Sequence, residues 1–125
     1  MRLVTYVVQD PGGSVEVAVT RFDGRVGGEL ANINRWRGQM GLDSIGAEHL
    51  EGTIKRFSSP GFDGYETRIE SASGVMLASG VYEQAQDRTW FVRATVATKD
   101  SADRIQSDLF RMARSISDHV PEESD

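Results

Sequence analysis

Four strand-like segments, at about residues 52–59, 63–71, 75–83 and 89–98, follow one another with very short connections. The separators are Ser59-Pro60-Gly61-Phe62-Asp63-Gly64, Ser71-Ala72-Ser73-Gly74 and Gln84-Ala85-Gln86-Asp87. A parallel crossover needs about a dozen residues or more, so these strands can only be antiparallel neighbours. Side-chain alternation then sorts their faces. Val75, Leu77 and Val81 share one face of the third segment, and Trp90, Val92, Ala94 and Val96 share one face of the fourth, with Phe91, Arg93 and Thr95 opposite. Neighbouring large aromatics, Trp90 and Phe91, predict that both faces of that strand are covered.

The N-terminal part supplies two more strands. Segments 2–9 and 14–22 are rich in Val, Thr, Tyr and Phe, and Asp10-Pro11-Gly12-Gly13 between them reads as a hairpin turn. Val15, Val17 and Val19 alternate with Glu16, Ala18 and Thr20, the pattern of a sheet with one buried face. After Asp23-Gly24 the period changes. Leu30, Ile33, Trp36 and Met40 form one stripe of a helix over 27–40, which Gly41 is placed to end. The connection 41–51, with Leu42, Ile45 and Leu50, has room for a short helical turn, and Ala102, Ile105, Leu109, Met112 and Ile116 mark a closing helix. Asp100 or Ser101 is its expected N-cap, with Asp103 adding favourable first-turn charge.

The resulting order, β-β-α-β-β-β-β-α, predicts an α+β fold: a six-stranded antiparallel sheet with two main helices, arranged as an α/β/α sandwich. The length of 125 residues fits one domain, taken as 1–117, followed by an acidic, proline-bearing tail at 118–125 that is expected to be disordered. No stretch approaches eighteen apolar residues, so the chain is expected to be soluble as given, cytoplasmic if complete and of the bacterial cell envelope if it is an excised mature domain. A net charge of −5 argues against a phosphate-tracking surface, and no nucleic-acid partner is expected.

Chemistry-bearing motifs are sparse. The absence of cysteine excludes disulfides, thiolate metal sites and a thiol nucleophile. No Gly-x-Ser-x-Gly elbow is present, and His49 and His119 form no ligand pair. No catalytic residue, cofactor or metal is therefore expected. The turn Asp23-Gly24-Arg25-Val26-Gly27-Gly28 precedes a helix but matches neither a dinucleotide fingerprint nor a P-loop. Glu66, Glu70 and Glu83 fall at strand positions that alternation most simply turns toward solvent.

The exceptional segment is Ala31-Asn32-Ile33-Asn34-Arg35-Trp36-Arg37-Gly38-Gln39-Met40-Gly41-Leu42. Its two asparagines and a glycine are poor helix formers, so packing or another purpose keeps them there. Asn32, Arg35 and Gln39 form a polar stripe beside the apolar one, and Asn34 and Arg37 a second pair. Two readings of these residues stand open. With Trp36 they can line a pocket or contact surface, since arginine offers a fork to carboxylate or phosphate and the amides both donate and accept. Alternatively Asn34 and Arg37 bond loop carbonyls and tie the helix to 41–51, with Trp36 packed on the sheet and Gly38 admitting a close strand.

Residues 32–42 resemble the Asn-x-Asn-Arg-Trp-Arg-Gly-Gln-(Leu/Met)-Gly-Leu signature of a family of uncharacterised bacterial proteins, often envelope-associated or lipoprotein-like. Val17–Phe22 and the Trp90-Phe91-Val92-Arg93 strand with its following helix extend the similarity over most of 2–117. The element order also resembles the PsbP-like and Ran-binding Mog-type α/β/α sandwiches, down to a helix ending near Ser115. These resemblances imply a non-catalytic binding or assembly module and carry no catalytic residues onto this chain. The expected function is thus a binding or scaffolding module working through the 27–42 helix and its adjoining loop, with an unknown protein partner. The alternative is a small-molecule protein or enzyme holding an anionic ligand with Asn32, Asn34, Arg35, Arg37 and Gln39. A free sheet edge also offers a route to a homodimer.

Overall fold

A computed structural model describes residues 2–25 and 28–116. Strands β1 (Arg2–Asp10) and β2 (Gly13–Asp23) form the expected hairpin, where the Asp10 carboxylate accepts the Gly12 N–H at 3.0 Å and fixes the Pro11-Gly12 loop. Helix α1 (Glu29–Gln39) follows, then a 3-10 turn (Ala47–His49) and the single-turn α2 (Leu50–Thr53). Strands β3 (Lys55–Ser59), β4 (Phe62–Ser71), β5 (Gly74–Glu83) and β6 (Arg88–Val96) lead into α3 (Lys99–Arg114). All pairings are antiparallel, in the order β1-β2-β6-β5-β4-β3.

Successive strand residues point to opposite faces, and two separate cores result. On one face Val15, Val17, Val19, Val75, Leu77, Val81, Val92, Ala94 and Val96 pack against Ala102, Ile105, Leu109 and Ala113 of α3. On the other, Tyr65, Ile69, Met76, Ala78 and Phe91 pack against Ile33, Trp36 and Met40, with Leu42, Ile45, Leu50 and Ile54 closing over them. The fold is therefore the α+β sandwich that the alternation of Trp90 and Phe91 requires.

Helix α1 ends in a Schellman motif. The Gly41 N–H donates to the Gly38 carbonyl at 3.1 Å and the Leu42 N–H to that of Arg37 at 2.8 Å, while Gly41 takes the left-handed φ of 76° that a side chain resists. Several boundaries differ from expectation. Residues 50–53 are helical, so the third strand starts at Lys55 and not at 52; the coil lets Leu50 and Ile54 both reach the α1-side core. The α3 N-cap is Thr98, whose Oγ1 accepts the Ser101 N–H at 3.1 Å, not Asp100 or Ser101, because β6 already ends at Val96. Asp100 occupies the first turn, and Asp103 pairs with Arg68. Gly38 does not admit a strand: a Cβ there would meet nothing within 4 Å. Close approaches occur instead at strand glycines such as Gly80, where a Cβ would lie 2.8 Å from the Tyr65 ring of the paired strand.

The tail at 118–125, His119, and Val26-Gly27 of the glycine turn lie outside the described residues.

Candidate functional site

The six signature residues sort into three environments. Asn34 and Arg37 face the following loop. The Asn34 Nδ2 donates to the Ile45 carbonyl at 3.0 Å, its Oδ1 accepts the Ile45 N–H at 2.8 Å, and the Arg37 Nε donates to the Asp43 carbonyl at 2.7 Å. Asn34 so pairs with Ile45 as a strand neighbour would, satisfying both polar groups of an irregular segment. Removing it leaves that N–H and carbonyl unpaired in a half-buried place, and Asn34→Ala is expected to cost about 2 kcal/mol of unfolding free energy in urea denaturation. A loss below about 0.5 kcal/mol would show that the loop does not depend on it.

Asn32 and Trp36 are interior. Trp36 is fully buried, with Phe91 edge-on at 5.8 Å between ring centroids and Tyr65 at 6.3 Å. The buried Asn32 donates to the Tyr65 hydroxyl at 3.2 Å, and burial pushes the phenol's pKa up to about 12. Arg35 and Gln39 remain at the surface: Arg35 lies 5.8 Å from the Trp36 ring, and Gln39 accepts from Arg93 at 3.2 Å. The six do not converge on one pocket. The cavity beside Asn32 and Tyr65, rimmed by Arg25, Asp63 and Tyr82, holds only about 60 Å³.

The larger concavity on this face lies beside α1. An open groove of about 430 Å³ is lined by Thr5, Ser14, Glu16, Gln39, Arg93 and Thr95, with Ala18 and Met76 on its floor. Gln39 is the signature residue that reaches it. The hydroxyls and the Gln39–Arg93 pair offer donors, and Glu16 an acceptor.

Four charged clusters sit on the α3 face, and two of them overturn the assignment of Glu66 and Glu83 to solvent. Glu66 is buried because α3 crosses above it, its carboxylate accepting from Arg114 at 2.8 and 3.1 Å. Glu83 is buried at the far end of β5, accepting from Arg88 Nε at 2.6 Å and Trp90 Nε1 at 3.1 Å. Glu70 is exposed, as expected. Arg68 reaches Asp103 and Gln106, both at 2.7 Å, across a groove of about 550 Å³ between β4 and α3 whose charges pair with one another.

The fourth cluster joins the hairpin to α3. Asp10 accepts from Arg104 at 2.8 and 2.9 Å and from Ser101 Oγ at 2.8 Å. The Arg104 guanidinium holds the Asp10 carboxyl well below the usual carboxylate range. A lowered folded-state pKa gives stability that is fully present above the unfolded value of about 3.9 and lost as pH falls through the folded one. The stability gap between wild type and Asp10→Asn is expected to be constant from about pH 5 to 8 and to close progressively below about pH 4. A gap independent of pH in acid would show that folding leaves the Asp10 pKa unshifted and that Arg104 does not hold its carboxylate.

Among the described residues, no group of three or more His, Cys, Asp or Glu side chains comes together to hold a metal, and no helix is long and apolar enough to cross a membrane. No family model matches the chain, and no curated protein matches it. Among solved structures it is similar to CalU16 from Micromonospora echinospora, at 13% identity over 94% of this chain and 83% of that one, with a TM-score of 0.33. That likeness is too distant to bear on fold or function.

Proposed function

We propose that the protein is a non-catalytic binding module that takes its partner in the groove beside α1, where β1, β2 and the Arg93–Thr95 end of β6 are left uncovered. The observation that carries this reading is the asymmetry of the α1 face. Helix α1 packs over β4, β5 and β6 through Tyr65, Ile69, Met76, Ala78 and Phe91, while Thr5, Ser14, Glu16 and Ala18 of the hairpin face an open groove of about 430 Å³. Small and hydroxylated side chains there let a partner approach the sheet closely and still find hydrogen bonds. The signature then supports the site from behind. Asn34 and Arg37 tie down the loop, Trp36 anchors the helix, and Gln39 and Arg93 form the groove wall. The resemblance of 32–42 to the envelope-protein signature implies a module of the same class.

Groove-filling variants test it. Ser14→Arg and Thr95→Arg lie at exposed positions and are expected to leave unfolding unchanged within about 0.5 kcal/mol. Immobilised wild type is expected to retain a protein partner that both variants lose, while phosphate, sulfate and small carboxylates produce no thermal shift. The small-anion reading would replace this one if such a ligand stabilised wild type by about 2.7 kcal/mol at a hundredfold excess over Kd, with the effect lost in Gln39→Ala. Equal retention by wild type and both variants would overturn the groove as the working surface.

A further inference from the structure

The two edges of the sheet are built differently. Edge β3 is five residues long and carries Lys55 and Arg56, with Arg56 clamped by Glu29 and Glu51 and Phe57 covered by Arg114. Short length and charge are devices that keep an edge unpaired. Edge β1 is nine residues long and pairs only with β2. From Val4 to Gln9 it has no charged side chain, and Val4, Tyr6 and Val7 are exposed by 37%, 48% and 60%. Together with Phe22 of β2 these are the exposed large hydrophobics of the described surface, so all of them belong to the hairpin. A long edge, uncharged from Val4 to Gln9 and rich in β-branched residues, with apolar groups on both faces, is a template for another strand.

We infer that the occupant is a second copy of this chain, with β1 pairing antiparallel to β1 across a two-fold axis at Tyr6. Antiparallel self-pairing about a residue preserves side-chain parity, so each face meets its own kind. Tyr6 opposes Tyr6 and Val4 opposes Val8 on the α3 face, and Thr5 opposes Val7 on the α1 face. This register is bounded by the irregularity between Arg2 and Val4. An axis at Val7 instead would set Val4 against Asp10, whose carboxylate already serves Arg104. The sheet continues through the axis as twelve strands, with an α3 on one face and an α1 on the other for each copy. On the α1 face the two grooves, each reaching Thr5, meet in one trough between the two α1 helices.

Pairing of this length makes a small interface, near the lower end of about 1,200 Å² for transient complexes, so a dissociation constant on the order of 10 µM is expected. Each chain carries a net charge of −5, so added salt should tighten the dimer, the reverse of an ion-pair interface. What fills the groove does not enter into this inference.

Because the chain has no cysteine, register can be read by cross-linking. Directly opposed antiparallel residues have Cα atoms about 4.5–5.5 Å apart, within disulfide range. Tyr6→Cys alone is expected to form a covalent dimer on mild oxidation. Val4→Cys and Val8→Cys should each stay uncrosslinked alone and crosslink when mixed. In sedimentation velocity of the wild-type chain, a concentration-dependent dimer is expected that Val7→Lys weakens more than tenfold with unchanged urea unfolding. A wild-type chain monomeric to millimolar concentration, or a dimer indifferent to Val7→Lys, would overturn the proposal. A dimer that crosslinks through Val7→Cys and not Tyr6→Cys would overturn the register.

Discussion

Trp36→Ala is expected to lower the unfolding free energy by about 4 kcal/mol, a large fraction of the roughly 5–15 kcal/mol that holds a domain of this size folded. Trp36 is fully buried and joins α1 to the sheet through Phe91 and Tyr65. Its ring sits among Ile33, Met40, Tyr65, Ile69, Met76, Ala78 and Phe91, so truncation leaves a cavity that the rigid strand side cannot collapse. Trp36→Phe should behave differently. Among the described residues the indole Nε1 is buried with no hydrogen-bond partner, so phenylalanine removes an unpaired donor as well as volume. The two effects oppose each other, and the cost should stay under about 2 kcal/mol. Urea denaturation of both variants, with equal slopes as the two-state check, measures the difference. Equal losses in the two would mean that the indole N–H has an acceptor and that the residue is held by polarity as much as by packing.

How much of this was legible beforehand depends on which physical rule each residue obeys. The period-two pattern of Val15, Val17 and Val19 and the adjacency of Trp90 and Phe91 specify faces directly, and the structure follows them. Gly41 as helix stop and Asn34 and Arg37 as bonds to the next loop are local relations, a few residues apart, and were readable. Glu66 and Glu83 were not. Alternation says which face a carboxylate shares, but only the path of α3 and the side chains of Arg114 and Arg88 decide whether that face is wet. Thr98, Asp100 and Ser101 are all chemically fit as an N-cap, and the choice is made by where β6 lets go. The groove also escapes pattern reading, although simple dimensions contain it. Six strands at about 4.8 Å spacing span about 24 Å, and one helix about 10 Å wide, about two strand spacings, reaches no more than three of them. A face with a single long helix must leave strands open, and β1–β2 is the half where the open groove and the exposed Val7 and Phe22 lie.

The second large effect belongs to Glu83, where alternation alone gave the wrong environment. Its side chain is 4% exposed and that of Arg88, its cross-strand partner, 14%. Glu83→Ala strands two donors at once, the Arg88 guanidinium and the Trp90 indole N–H, both of which end on the same carboxylate. Breaking a buried pair from one side costs about 3–5 kcal/mol, and the partial exposure of Arg88 places this case near 3 kcal/mol. Glu83→Gln retains an acceptor for the indole and gives up the charge, so it should lose roughly half as much. Replacing both charges is the decisive comparison. A Glu83→Leu, Arg88→Leu double variant removes the desolvated ions together, and its stability should lie well above that of Glu83→Ala and near wild type. That ordering would show that the pair is needed because each charge is present, and that its net contribution to stability is small. A Glu83→Ala loss below about 0.5 kcal/mol would show the opposite, that water reaches this end of β5 and the original surface reading of Glu83 holds in solution.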